Sequence, residues 1–263
     1  MKEEKEFYIG YVDTTPPSTK KFIKKIIISI ILFFIVAAAV FSLSQKPFIN
    51  STFELSSETK ITGIYHESPY PMLRVKIGEG SYKNIILMGY GKFGANMYTD
   101  AVREKLGSSP LNKQMTIEGN LTYYNGKTLL QVTDEEKITV DPNISSEGLK
   151  GTSLGAFELE GEVVDPKCYF GVMKPGKGKI HRSCAVRCIA GGMPPVLVTT
   201  DDNNTSEYFL LTDMKGKPIH DDILPYIGQP SRLKGAVEKL EDWYVMKIDV
   251  SDIKKLDKES TIY

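Results

Sequence analysis

All three cysteines of the chain and one of its three histidines fall within 21 consecutive residues: Cys168, His181, Cys184 and Cys188, in the pattern C-x12-H-x2-C-x3-C. Three thiolates and an imidazole are a donor set that binds zinc tetrahedrally. Thiolate-rich sets also take copper(I), with thioethers as further soft ligands, and Met173 and Met193 lie in the same stretch. Spacing does not choose between zinc and copper. Two other chemistries use the same residues. One is a structural disulfide joining Cys168 to Cys184 or Cys188 and leaving one thiol over; the other is thiol exchange at Cys184 and Cys188. There is no C-x-x-C-H, so covalent c-type haem is not expected.

Such a site needs elements that bring the donors together. Residues Ile180 to Ala190 are helix-compatible and are followed by Gly191 and Gly192, which suit a left-handed C-terminal cap. At about 100° per residue, His181, Cys184 and Cys188 would share one helix face within about 60°. Cys168 would reach that face from the end of a preceding strand, across a turning loop containing Pro175 and several glycines.

Around this stretch the sequence follows one plan twice. Strand patterns at 60–65, 73–77, 82–88, 115–123 and 128–132 enclose a helical pattern at Asn96 to Leu106, with Asn125 and Gly126 as a hairpin turn. Strands at 157–164, 195–199, 208–211, 231–238 and 243–250 repeat the order, with a short helix expected near His220 to Ile227. Gly63 corresponds to Gly161 and Gly119 to Gly235, and the second pair of positions is spaced about 18 residues wider, which places the Cys/His stretch as an insertion between the copy's first two strands. Five strands with a helix between the third and fourth is the OB-fold order. The expected fold class is mostly β: an N-terminal transmembrane helix followed by two tandem small OB-like barrels, at 57–141 and 156–255. A linker at 142–155 separates them, and the insertion occupies 166–195. Small β-sandwich or SH3-like modules are the alternative.

Ile26 to Leu43 is 18 residues without a charge, enough helix to cross a bilayer's hydrocarbon core. Lys20, Lys21, Lys24 and Lys25 crowd its N-terminal side, so the positive-inside rule gives a cytoplasmic tail at 1–21 and a signal anchor at 22–44. The expected location is the inner (cytoplasmic) membrane, single-pass, with the C-terminal domains in the periplasm or outside. A cleaved signal peptide ending near Ser42 or Ser44 is the competing reading. The tail carries Phe7, Tyr8 and Tyr11 and is too short for a core of its own.

Basic and acidic residues balance at 33 each, which removes nucleic acid as an expected partner and leaves the membrane, with a membrane protein complex, as partners. No G-x-S-x-G, H-E-x-x-H, Walker or Rossmann pattern is present, so no catalytic residues and no enzyme activity are expected. Gly89 to Met97 (GYGKFGANM) lacks the spacing of a phosphate loop and reads as a loop feeding the first copy's helix. His66 and His220 read as surface residues.

The second copy resembles a group of bacterial envelope proteins whose OB-like domain has a first strand ending in G-x-V-x-D-x-x-C, then H-x-x-C-x-x-x-C and a Gly-rich turn. Here these are Gly161, Val163, Asp165, Cys168, His181, Cys184, Cys188 and Gly191. Cys184, Cys188 and His181 are similar in ligand type to copper chaperones of cytochrome oxidase assembly, and HDDILPY (His220 to Tyr226) is similar in part to the motif of haem chaperones of cytochrome c maturation. The expected function is a membrane-anchored accessory or scaffold protein with a zinc or copper ion on Cys168, His181, Cys184 and Cys188. The alternative is a periplasmic thiol-redox protein or metallochaperone in cytochrome or respiratory-complex assembly.

Overall fold

A computed structural model describes residues 15–44, 52–201, 203 and 205–257, and the chain forms two compact units, 1–49 and 50–263. In the first unit, helix α1 (Pro17–Ser44) opens on a proline, whose missing N–H costs nothing at a helix start. From Thr19 to Ser44 it is long and apolar enough to cross a membrane. Its Ile, Leu, Val and Phe side chains are exposed on every side, as a helix made for a nonaqueous surround would show. Phe7, Tyr8 and Tyr11 lie outside the described residues.

The second unit is mostly β and contains two closed five-stranded barrels. Ahead of the first runs β1 (Thr52–Phe53). Barrel 1 comprises β2 (Thr59–His66), β3 (Met72–Gly78), β4 (Ser81–Met88), β5 (Lys113–Tyr124) and β6 (Lys127–Gln131), with α2 (Asn96–Leu106) between β4 and β5. Antiparallel pairs β2–β3, β3–β4, β5–β6 and β2–β5 are closed by the parallel pair β4–β6. This is the OB order expected from the sequence. Asn125 and Gly126 both take positive φ in the two-residue β5–β6 turn, as a type I′ hairpin requires.

After β7 (Ile138–Ser145), which pairs with β5, barrel 2 repeats the plan. Its strands are β8 (Thr152–Val164), β9 (Val196–Thr200), β10 (Ser206–Thr212), β11 (Pro230–Leu240) and β12 (Trp243–Ile248), closed by the parallel pair β10–β12; a short β13 (Lys254–Lys255) borders β11. The expected linker at 142–155 is thus largely strand, and 146–151 alone connects β7 to β8. The glycine correspondence is spatial too. A Cβ on Gly63 or Gly161 would run into a carbonyl of its barrel's second strand, and one on Gly119 or Gly235 into a carbonyl of its fifth. The helix expected near His220 to Ile227 shrinks to a single 3-10 turn, Leu224–Tyr226, with Pro225 removing an amide donor from it.

Each barrel has its own interior: Leu73, Ile85, Leu87 and Leu130 in the first, Leu197, Phe209, Leu211 and Met246 in the second. The alternate residues are buried as well. Met72, Ile86, Met88 and Leu129 of barrel 1 pack with Val196, Val198, Tyr208, Leu210, Trp243 and Val245 of barrel 2 in a third core between the barrels. The stretches Ile85 to Met88, Val196 to Val198 and Tyr208 to Leu211 are therefore buried on both faces, which is why they read as unbroken apolar runs. Polar anchors frame this interface: Tyr70 Oη donates to the Leu211 carbonyl (2.6 Å), Trp243 Nε1 to that of Asn84 (3.0 Å), and Arg74 pairs with Glu241 (2.5 Å).

Candidate metal centre

The connection between β8 and β9 occupies 165–195, where barrel 1 needs only 67–71 between β2 and β3. It begins with Asp165, Pro166 and Lys167, and Asp165 acts as an N-cap: its Oδ1 accepts the Cys168 amide (2.8 Å), while Pro166 occupies the first helical position. The turn continues as a single π-helical turn, Cys168–Val172, closed by Met173 N–H to the Cys168 carbonyl (3.3 Å). Phe170 anchors it in the inter-barrel core, its ring centroid 4.9 Å from Tyr208 and 6.0 Å from Trp243. Cys168 is thereby fixed at the barrel–barrel boundary.

The other thiols come from α3 (Arg182–Ala190), which starts one residue after His181. Its end is a Schellman motif: Met193 N–H bonds the Cys188 carbonyl (3.0 Å) and Gly192 N–H that of Ile189 (2.9 Å), with Gly192 at φ +101°. The glycine pair thus caps the helix as its sequence suggested, with the left-handed residue being the second glycine.

Cys168, Cys184 and Cys188 converge, their sulfurs all within 4.8 Å of one another and Cys168 Sγ 3.8 Å from Cys184 Sγ. All three are free thiols; Cys168 and Cys188 are buried and Cys184 is half-buried. His181 belongs to a second group, in which its donor atom, a carboxylate oxygen of Asp165 and Cys168 Sγ lie within 4.8 Å of one another. Its Nε2 is 3.1 Å from Asp165 Oδ2, and both side chains are enclosed. A carboxylate only accepts, so the ring nitrogen is the donor in this contact. Both groups are close enough to hold a metal ion, and Cys168 is common to them. Met193 is buried in the same core as Cys168 and Cys188, whereas Met173 is exposed.

A residue absent from the sequence-level site completes it. Lys92, from the loop between β4 and α2 of barrel 1, donates from Nζ to Cys184 Sγ at 2.8 Å and lies 3.8 Å from Cys188 Sγ. That loop is held from barrel 2 at three points. Lys167 Nζ donates to the carbonyls of Gly89 and Gly91, each at 2.9 Å, and Gly94 N–H bonds the Gly191 carbonyl (2.8 Å). A Cβ on Gly191 would strike the Lys92 carbonyl, and one on Gly94 the Gly192 carbonyl, so backbone meets backbone here.

The electrostatics follow from this packing. The Cys168 thiol is pushed up, first by its hydrogen bond to Cys188 and then by burial, while Cys188 is lowered by that same bond. The Cys184 contact raises Lys92, and burial pulls Lys167 down to about 8. The remaining histidines are less exposed than expected. His66 at the end of β2 is buried, and His220 is half-buried against Tyr70, with 5.7 Å between ring centroids; burial lowers both. No protein-family model matches the chain, and no curated protein is significantly similar to it.

Proposed function

We propose that this chain is a membrane-anchored accessory protein that holds one metal ion, zinc or copper, at the cluster of Cys168, Cys184 and Cys188, beside the His181–Asp165 pair. The observation that carries the reading is the convergence of sulfurs from two separate segments, the π turn and α3, into one cluster. Asp165 ties the two segments together beside the cluster, accepting the Cys168 amide on one oxygen and holding His181 Nε2 at 3.1 Å on the other. The role is binding and structural rather than catalytic: Met72, Ile86, Val196, Val198, Tyr208 and Leu210 of strands two and three are taken up in joining the barrels, and Cys184 sits against the Lys92 loop. Helix α1, with Lys20, Lys21, Lys24 and Lys25 at its start, serves as the anchor and places the barrels outside the cytoplasm.

A second reading, thiol exchange with a partner disulfide, is favoured by the half-buried Cys184 with an ammonium on its sulfur and Cys168 as the resolving thiol at 3.8 Å. Metal analysis with a free-thiol count on the purified full chain separates the two. The metal reading predicts about one equivalent of zinc or copper, lost in Cys188→Ser. A metal-free protein with a readily reduced Cys168–Cys184 bridge would contradict it and support exchange.

A further inference from the structure

We infer that the site is built for a soft monovalent ion, copper(I), held by the three sulfurs alone, with Lys92 of barrel 1 as its fixed counter-cation and His181 outside the coordination shell. This rests on the metal-centre reading above and goes further by assigning the ion's class and a role to a residue of the other barrel. The donor geometry comes first. The three sulfurs form one mutually close set, whereas His181 groups with Asp165 and Cys168 and is not part of a four-donor set. Drawing the ring toward Cys184 and Cys188 would break its bond to Asp165, whose side chain is fully buried, and leave a carboxylate oxygen without its partner. Three thiolates suffice for copper(I), while zinc in a closed structural site takes four ligands.

Charge points the same way. The Lys92 ammonium sits 2.8 Å and 3.8 Å from two of the sulfurs, and Lys167, adjacent to Cys168 in the chain, is buried beside them. Repulsion between these ammonium groups and a bound ion scales with the ion's charge, so a divalent ion meets twice the opposition of a monovalent one, while the thiolates are stabilised in either case. The cation is not free to leave. Its loop is clamped through the Gly89 and Gly91 carbonyls by Lys167 and through Gly94 by Gly191. Loading is a simple exchange in which the ion replaces the thiol protons, which pass to solvent, with no change in oxidation state.

The test uses the full chain in detergent micelles, reduced and free of oxygen, with copper(I) and zinc(II) offered in parallel against chelators of known affinity. The expected result is one copper(I) per chain with a metal-edge absorption spectrum showing three sulfurs and no nitrogen. His181→Gln, which keeps a hydrogen-bonding side chain beside Asp165, should leave that shell unchanged. Lys92→Gln should weaken copper(I) binding about 10- to 100-fold, with Lys92→Arg restoring most of it and circular dichroism unchanged in both. A nitrogen in the copper shell that disappears in His181→Gln, or wild-type copper(I) affinity in Lys92→Gln, overturns the inference. One zinc on three sulfurs and His181, with no copper(I) bound, overturns it too but keeps the metal-centre reading; binding of neither ion ends both.

Discussion

Asp165 does two jobs with its two oxygens. One holds the amide that starts the Cys168 turn and the other holds the His181 ring at the start of α3, so a single enclosed carboxylate sets the approach of both ligand segments. Replacing it with alanine orphans two buried donors at about 1–3 kcal/mol each, and the expected outcome is a loss of roughly that size in urea unfolding together with weaker metal retention. Asp165→Asn, which can still accept the Cys168 amide, should lose less. Equal unfolding midpoints for Asp165→Ala and the wild type would remove Asp165 from this role. The four Cys/His residues were legible because soft ligands crowd into 21 residues, and Asp165 was reached through resemblance. The Asp-Pro-Lys-Cys run is also an N-cap signature, with the carboxylate three residues before the amide it caps, and would have found it on physical grounds. Lys92 left no such mark. Nothing within its own loop calls for a thiol partner, and its chemistry arises from contact between residues 92 positions apart.

At the scale of elements, periodicity served well where an element is amphipathic or is bounded by turn residues. Helix α2 matches the expected Asn96 to Leu106, and the ten barrel strands fall within a few residues of their sequence patterns. Expectation failed where tertiary pairing or a proline decides: β7 extends through a polar stretch read as linker, and the His220 segment forms one turn. The loop at Gly89 to Gly94 was correctly read as the entry to α2, yet it is also the surface on which α3 docks. Gly94→Ala tests that docking directly, because the added carbon would meet the Gly192 backbone, which has little freedom to retreat. The expected cost is about 1–3 kcal/mol, seen as a melting-temperature drop of a few degrees. Gly148→Ala, whose Cβ finds its nearest neighbour, Asn112 Nδ2, at 4.0 Å, should stay within about 0.5 kcal/mol of wild type. Similar melting temperatures for the two variants would contradict the tight contact.

Over the whole molecule, duplication explains more than fold class. Each barrel's link between its first two strands reaches the other barrel: Tyr70 bonds the Leu211 carbonyl and the Ile219 amide, and Lys167 bonds the Gly89 and Gly91 carbonyls. The long link in barrel 2 is the elaborated member of that reciprocal pair, and its thiols are met by barrel 1's loop. Runs such as Ile85 to Met88 and Tyr208 to Leu211 announced burial on both faces, but a single sequence does not say that each barrel is the other's cover. The site is consequently a property of both copies, assembled where they meet. Alkylation of the native, metal-loaded full chain followed by mass spectrometry tests this most directly. If three sulfurs share one ion, Cys168, Cys184 and Cys188 should be protected together and become reactive together when a chelator removes the metal. Rapid labelling of Cys184 while the metal stays bound, or a Cys168–Cys184 disulfide in place of thiols, would contradict it.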